Sequence, residues 1–194
     1  SGSGKICYIA AQLVGDSGKI IGVDMNNDML ALSRKYQIEM AEKVGNDNVH
    51  FLKGKIQDLA LDIDAMEAWL RSNPVKNAND LAALEEWKLK HTQESPLIAD
   101  NSVDLVISNC VLNLVNDQEK QQLVNEIFRV TKPGGRIAIS DIISDEIIPG
   151  YLKKDKHLWS GCISGAFQEL EMLQMFQKAG FIGVSYDKWS EAPW

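Results

Sequence analysis

The 194-residue sequence has few of the features that mark membrane proteins, disulfide scaffolds and nucleic-acid-binding proteins. It contains no apolar run of about 18 residues, the length that crosses a bilayer as a helix, and no charged and then apolar leader. Its 20 Lys and Arg residues are outnumbered by 27 Asp and Glu residues, and the net charge of −7 argues against binding a phosphate backbone. Its three cysteines are too few, and odd in number, for a disulfide framework. We therefore expect a cytoplasmic protein in a reducing compartment, with no membrane or nucleic-acid partner.

The composition is typical of one globular domain, with 45% hydrophobic and 24% charged residues. No linker, internal repeat or low-complexity tract divides the sequence. We therefore predict a single domain over residues 1–194.

Short apolar strands alternate with helical patterns along most of the chain. The predicted strands are Lys19–Asp24, Val49–Leu52, Val103–Ser108, Arg136–Asp141 and Ile182–Asp187. A first helix is predicted after the glycines, where Ile6, Ile9, Ala10, Leu13 and Val14 recur at helical spacing. A second runs from Asn26 or Asn27 to about Val44, and a third follows Asn116. A fourth covers Glu169–Ala179 and ends at Gly180. This alternation predicts an α/β domain with a largely parallel sheet.

Residues 57–100 interrupt the alternation, because they contain no obvious strand. Helical spacing recurs at 63–70 and at 79–89. A structureless loop of this length is unusual in a compact domain, so we expect a helical insertion on the surface. Its tryptophans, Trp69 and Trp87, are expected to pack on the domain rather than on a ligand.

Three features fall at the carboxyl ends of predicted strands or in the loop before the first helix, where open α/β sheets bind ligands. Gly2 and Gly4 lead into that helix, and glycine there permits close approach of a ligand or forms a tight turn. Asp24 ends the next strand, where a carboxylate accepts the hydroxyl hydrogens of a ribose or caps the following helix. Asn109 follows the strand 103–108, where it can line a cofactor pocket.

The spacing of these residues separates the classes of nucleotide cofactor. Cys7 stands where the dinucleotide motif G-x-G-x-x-G requires its last glycine, and the phosphate-binding motif G-x-x-x-x-G-K-[ST] is absent. No basic residue adjoins Asp24 to accept a 2′-phosphate. A nucleoside without a pyrophosphate fits better, and S-adenosylmethionine (SAM) is the natural candidate.

Longer stretches of the sequence carry a family resemblance. The glycine loop SGSG before a helix, GVDM, VDLVISNCVLNLV and RVTKPGGRIAISD resemble motifs of class I SAM-dependent methyltransferases. SNCVLNLV and HLWSGCISGAF are similar in particular to arsenite methyltransferases. The resemblance covers nearly the whole chain apart from residues 57–100. It implies a Rossmann-like class I methyltransferase sheet with helices on both faces.

The resemblance also implies the residues of the site. Cys110 and Cys162 match two family cysteines that hold trivalent arsenic, the substrate. Met25 would lie against the adenosine and Ile56 would border the adenine. The whole set implied for SAM binding is Gly2, Gly4, Asp24, Met25, Ile56 and Asn109.

The chemistry of arsenic agrees with a thiol site. Trivalent arsenic is soft, and thiolates are the preferred ligands of soft ions. Bound by sulfur, it keeps a lone pair that can attack the methyl group of SAM, so no Ser-His-Asp arrangement is required. Either cysteine alone could be a small buried hydrophobe, and Cys7, within the first helix, is interpreted as packing. An upstream thiol or glutathione would supply a third ligand, and glutathione or thioredoxin would serve as the reductant.

Two features depart from the family pattern. The family's first strand, which reads D-x-G before the glycine loop, is absent, so the two strands beside it are expected to lack their shared partner. The family's additional C-terminal region is also absent. We expect a partial methyltransferase domain acting on arsenite. The alternatives are a methyltransferase for a small organic acceptor, such as a quinone precursor or a sterol, and a binding module without catalysis.

Overall fold

Helices and parallel strands alternate along both halves of the chain. The structure, a computed structural model, describes residues 2–45 and 47–187. The chain divides into two units, a first unit of residues 1–99 and a second unit of residues 100–194.

The first unit packs helices against one pair of strands. Its elements are, in order, α1 (Lys5–Val14), β1 (Ile20–Asp24), α2 (Asn27–Lys35), α3 (Gln37–Val44), β2 (Val49–Lys53), α4 (Ile63–Ser72) and α5 (Ala78–Glu94). β1 and β2 run parallel, and Asp24 at the end of β1 lies opposite Lys53 at the end of β2. The core of this unit consists of Cys7, Tyr8, Ala11, Leu30, Val49 and Phe51.

The helix α1 is confirmed, but the face predicted to be buried is wrong. Cys7, Tyr8 and Ala11 are buried, whereas Leu13 of the predicted apolar face is 82% exposed. The Tyr8 ring meets Phe51 edge-on, with 5.6 Å between ring centroids, and this contact fixes the rotation of the helix about its axis. Because α1 carries two apolar stripes, its periodicity alone could not select the buried one.

The single helix predicted to end near Val44 is two helices. Asn26 caps α2 as predicted, its side chain accepting the amide hydrogens of Asp28 and Met29. The break falls at Tyr36, where φ is −94° and ψ is 1°, and the Tyr36 amide bonds to the Ser33 carbonyl at 3.3 Å. This tightened turn ends α2 and begins α3 at the next residue.

The helical insertion predicted over residues 57–100 is confirmed as α4 and α5. Trp69 of α4 and Trp87 of α5 stack at 5.7 Å between ring centroids, and Trp87 stacks on His91 at 4.6 Å. The tryptophans therefore pack on each other. The buried Lys53 joins β2 to α4 through an ion pair with Glu67, with 2.5 Å between nitrogen and oxygen.

The second unit contains the remaining elements. They are β3 (Val103–Asn109), two short 3₁₀ turns (Leu112–Leu114 and Asp117–Glu119), α6 (Lys120–Val130), β4 (Thr131–Ser140), β5 (Ile143–Ser144), α7 (Lys156–Ser160), β6 (Phe167–Gln168) and α8 (Glu169–Ala179). β3 pairs with β4, and β5 with β6, all in parallel. α8 has the predicted bounds, and Gly180 ends it with φ at 116°.

The strand predicted at Ile182–Asp187 is wrong, since this segment has no strand pairing in the structure. This segment and β4 both line a cavity of about 380 Å³, and the two are not paired. Ile182 is 95% exposed, and the Tyr186 hydroxyl donates to the Glu169 carbonyl at 2.7 Å. The alternating pattern of this segment therefore reflects packing beside α8 rather than a strand.

Within the described residues, the first unit contains the two-stranded sheet β1–β2, and the second unit contains the two-stranded sheets β3–β4 and β5–β6. Among the helices of residues 2–45 and 47–187, none combines the length and the apolar character needed to cross a lipid bilayer.

Candidate functional site

The glycine loop before α1 contains two glycines, Gly2 and Gly4, whose surroundings differ. Gly4 caps the helix with φ at 82°, and a Cβ there would lie 2.8 Å from the Phe51 ring, so only glycine fits. Gly2 has φ at 51°, and no atom lies within 4 Å of the place where its Cβ would stand. The loop is therefore pressed onto the core at Gly4 and open at Gly2, and Ser1 lies outside the described residues.

Asp24 joins the glycine loop to the end of β1. One carboxylate oxygen accepts the Gly2 amide hydrogen at 2.8 Å, and the other accepts the Asn26 amide hydrogen at 2.9 Å. Partial burial acts to raise the pKa of Asp24, but the hydrogen bonds from these amides outweigh it, and the pKa is lowered. The side chain is therefore held as a carboxylate at the carboxyl end of a parallel strand.

Met25 follows Asp24 directly, and Ile56 comes three residues after the end of the neighbouring strand β2. The Gly54 amide donates to the Asp24 carbonyl at 3.0 Å, which brings the turn after β2 to the end of β1. Ile56 sits half-buried in that turn, which a bridge between Lys55 and Asp58 closes. Met25 is 60% exposed. The first unit thus brings together five of the six residues predicted for SAM: Gly2, Gly4, Asp24, Met25 and Ile56.

The sixth, Asn109, belongs to the second unit, where it ends β3 and is exposed. Cys110 follows it and is also exposed. The Cys110 amide continues the ladder by donating to the Ser140 carbonyl at 2.8 Å. At Cys110 the backbone then enters the left-handed region, with φ at 51°.

Cys162 lies beside Cys110 although 52 residues separate them. Its thiol donates to the Cys110 carbonyl oxygen, with 3.6 Å from sulfur to oxygen. Its φ is 63°, so two of the three non-glycine residues with left-handed backbone in the described chain are these cysteines. Burial, the charge of Asp141 and the nearby Cys110 raise the pKa of the Cys162 thiol. Strained backbone of this kind concentrates at functional sites.

Asp141, the residue after β4, caps the segment that follows Cys110. Its carboxylate accepts amide hydrogens from Leu112 at 2.9 Å and from Ile142 at 3.0 Å. Burial raises the pKa of Asp141, although the surrounding backbone amides oppose the shift. The Asp141 carboxylate therefore links the end of β4 to the segment that follows β3.

Sequence reasoning missed three residues that hold the Cys162 loop. The Asn113 side chain is fully buried and donates to the carbonyls of Ile142, at 2.7 Å, and Cys162, at 3.1 Å. A Cβ at Gly165 would overlap the Asn113 carbonyl oxygen. The Lys120 ammonium donates to the Gly165 carbonyl at 2.8 Å. The available signals were a polar residue inside the apolar run VLNLV and a lysine opening an amphipathic helix.

Cys7, the third cysteine, is buried in the core of the first unit, as predicted. Over residues 2–45 and 47–187, no three His, Cys, Asp or Glu side chains cluster so as to hold a metal ion. The soft-ligand chemistry of the second unit is therefore that of two thiols.

Comparison with known proteins gives this geometry a family. Residues 1–86 and 83–180 match the family model described as Methyltransferase domain. The chain belongs to this family. The Rossmann-like α/β class predicted from the sequence is confirmed by this methyltransferase membership and by the solved structure described next.

Several of the proteins similar to this methyltransferase domain are arsenic methyltransferases. It is 35% identical to the arsenite methyltransferase of Mus musculus, over 93% of this chain and 39% of the mouse protein. It is 34% identical to the arsenite methyltransferase of Aquipseudomonas alcaligenes, over 93% of this chain and 42% of that protein. The crystal structure of CrArsM, an arsenic(III) S-adenosylmethionine methyltransferase from Chlamydomonas reinhardtii, superposes with a TM-score of 0.67 at 28% identity. The match covers 92% of this chain and 48% of the CrArsM chain. The chain thus spans about two fifths of the length of these curated relatives.

The methyltransferase family implies SAM, and the residues of the first unit fit it. A ribose presents hydroxyl donors, and an ionised carboxylate is an acceptor-only group that suits them. Asp24 is such a carboxylate, and its neighbour Gly2 leaves open space where any other side chain would project. The acceptor oxygens of Asp24 and the open space at Gly2 therefore agree with a nucleoside ligand.

Proposed function

We propose that this methyltransferase domain takes part in transferring a methyl group from SAM to trivalent arsenic held by Cys110 and Cys162. The observation that carries the proposal is the contact of the Cys162 thiol with the Cys110 carbonyl, which brings two cysteines on left-handed loops together beside the carboxyl end of β3. The arsenite methyltransferases among the relatives support the choice of substrate. The activity of a longer protein would build on this pair.

Arsenite would bind to the two cysteines by exchange of its hydroxides for thiols. Arsenite is a neutral trihydroxide near neutral pH, and each thiol that binds replaces one hydroxide. The thiol proton leaves with that hydroxide as water, so two As–S bonds form and two water molecules are released. Because the pKa of Cys162 is raised, its thiol carries the proton that this exchange needs.

The role of the first unit is to bind the methyl donor. Asp24 would accept the ribose hydroxyl hydrogens, with Gly2 and Gly4 forming the loop beside it. Met25 would lie against the adenosine and Ile56 would border the adenine, and the family resemblance adds Asn109 to the residues that bind SAM. When bound, SAM supplies a methyl group activated by a sulfonium. No side chain has to act as nucleophile, since the arsenic lone pair does so.

A thiol reductant completes the proposed reaction. A lone pair that forms a new As–C bond leaves arsenic formally pentavalent, so two electrons are needed to return it to the trivalent state. Two molecules of glutathione, or reduced thioredoxin, supply them by forming one disulfide. Glutathione would also be a source of the third arsenic ligand.

The test is incubation of the protein with labelled SAM, arsenite and glutathione, followed by separation of the methylated arsenic species. Cys110→Ser and Cys162→Ser should each lower arsenic methylation at least 100-fold. Cys7→Ala is the matched control, because Cys7 lies in the core of the first unit. It should retain activity within a few-fold.

Two outcomes would contradict the proposal. Methylation of a quinone precursor or a sterol that survives both serine substitutions would favour an organic acceptor. Binding of SAM without any turnover in the presence of arsenite and glutathione would favour a binding module.

A further inference from the structure

Backbone amides that follow Cys110 converge on one carboxylate. The Leu112 amide donates to Asp141 at 2.9 Å, and the neighbouring amides of Val111 and Asn113 act to lower the pKa of this carboxylate. Ile142 donates to its other oxygen at 3.0 Å. The cysteine loop is thus held at Leu112 by a residue that follows a different strand.

We infer that Asp141 is a positioning residue for the arsenic site, because it holds Cys110 in the left-handed conformation that places it against Cys162. This inference rests on the proposed function, which assigns the two thiols to arsenic. Asp141 touches neither thiol in the proposed role. It acts through the backbone between Cys110 and Asn113.

The conformation of Cys110 needs such a restraint. A residue with a Cβ is disfavoured at φ near 51°, so a free loop would relax into an extended conformation. Relaxation would swing the Cys110 side chain away while leaving Cys162 where its own loop holds it. Chelation by two thiols depends on their separation, so it is the property most sensitive to this movement.

The second anchor of the same segment is the Asn113 side chain. It donates to the carbonyls of Ile142 and Cys162, so the end of β4 and both cysteine loops meet at one residue. Asp141 holds the Leu112 amide next to Asn113, and the Asn113 side chain holds Cys162. The carboxylate therefore sets the distance between the two loops as well as the shape of one of them.

A carboxylate is required here because all its partners are donors. An aspartate offers two acceptor oxygens with about four lone-pair positions between them. Asparagine offers one acceptor oxygen and an NH₂ group, which would face N–H groups. Asp141→Asn therefore removes the restraint with almost no change in volume.

The experiment measures chelation and single-thiol access separately in the 194-residue chain. Phenylarsine oxide is the probe, since it forms two As–S bonds to a thiol pair and releases one water. Its affinity is titrated through the near-ultraviolet absorption of the As–S bonds. Asp141→Asn should weaken binding at least tenfold. Asp145→Asn, the same change at an exposed residue four positions later, should leave the affinity within twofold.

The rate of iodoacetamide alkylation at each cysteine separates positioning from unfolding. We expect Asp141→Asn to change the Cys162 rate less than threefold, because the thiol stays buried while the pair loses its alignment. Unchanged phenylarsine oxide affinity in this variant would overturn the inference. So would alkylation of Cys162 at the rate of the urea-unfolded chain, which would mean general loss of the fold. If the unsubstituted chain binds no more tightly than Cys110→Ser, the proposed function itself fails.

Discussion

At the scale of single residues, the site depends on backbone conformations that the sequence does not display. Cys110 and Cys162 could be selected from their motifs, but nothing in the motifs reveals that both lie in the left-handed region. Gly165 likewise reads as a loop glycine, whereas its real role is close packing on Asn113. Such contacts join residues far apart in sequence, so local patterns carry no trace of them.

Two glycines of the Cys162 loop give a matched test of this packing. Gly165→Ala should lower the free energy of unfolding by about 3 kcal/mol, because its methyl group overlaps the Asn113 carbonyl. At Gly161 a Cβ would lie 3.6 Å from its nearest atom, and φ is −83°. Gly161→Ala should therefore change the free energy of unfolding by less than about 0.5 kcal/mol. Urea denaturation measures both values. Equal stability of the two variants would refute the packing argument.

At the scale of elements, most helices and strands could be predicted because their apolar periodicity is strong. α8, the strands β1 to β4 and the insertion helices follow from local patterns and caps, whereas α7 and the two-residue strands β5 and β6 are too short to show a period. The errors fall where tertiary contacts decide the outcome. The contact with Phe51 fixes which face of α1 is buried, and a single turn at Tyr36 divides one predicted helix into two. Residues 182–187 line a cavity beside β4 instead of pairing as a strand.

The ion-pair network at the start of α6 links that helix to the segment around Cys162. Asp117 binds the Lys120 ammonium at 2.5 Å and the Lys153 ammonium at 2.6 Å, and Lys120 also lies 4.2 Å over the Phe167 ring. Asp117→Asn leaves the buried Lys120 without its ionic partner. We expect a loss of about 2 kcal/mol in unfolding free energy at pH 7, a value reduced because Asp117 is partly exposed.

The same network predicts how stability depends on pH. Although desolvation of Asp117 opposes the shift, the hydrogen bonds from Lys120 and Lys153 lower its pKa. The folded state therefore binds fewer protons than the unfolded state just below the ordinary pKa of an aspartate. This stabilisation is present above that value and is lost as the pH falls through the lowered pKa. Urea midpoints measured from pH 7 down to 3.5 should fall less steeply in Asp117→Asn than in Asp145→Asn.

At the scale of the whole molecule, the residues proposed for the donor and the acceptor belong mostly to different units. The carboxylate at the end of β1 and the glycine loop lie in the first unit, and the thiol pair lies in the second. Neither a linker nor a repeat marks this division in the sequence, from which we predict a single domain. The folded structure adds the contacts that hold each set.

Substitutions in the two units should therefore separate the two binding activities. Asp24→Asn should weaken SAM binding at least tenfold, because it replaces an acceptor-only group that faces the Gly2 and Asn26 amides. It should leave phenylarsine oxide binding within twofold, and Cys110→Ser should do the reverse. Isothermal titration with each ligand is the measurement. Loss of both activities in Asp24→Asn would argue against separate sites.

The separation of 52 positions between Cys110 and Cys162 has a consequence for the unfolded chain. An arsenic atom that remained bonded to both sulfurs would tie the polypeptide into a ring, much as a disulfide does. Closing a ring of this size reduces the configurational freedom of the denatured ensemble by the equivalent of about 4 kcal/mol at 25 °C. The substrate would then act as a removable covalent staple, and each methylation cycle that ends in product release would return the chain to its uncrosslinked topology.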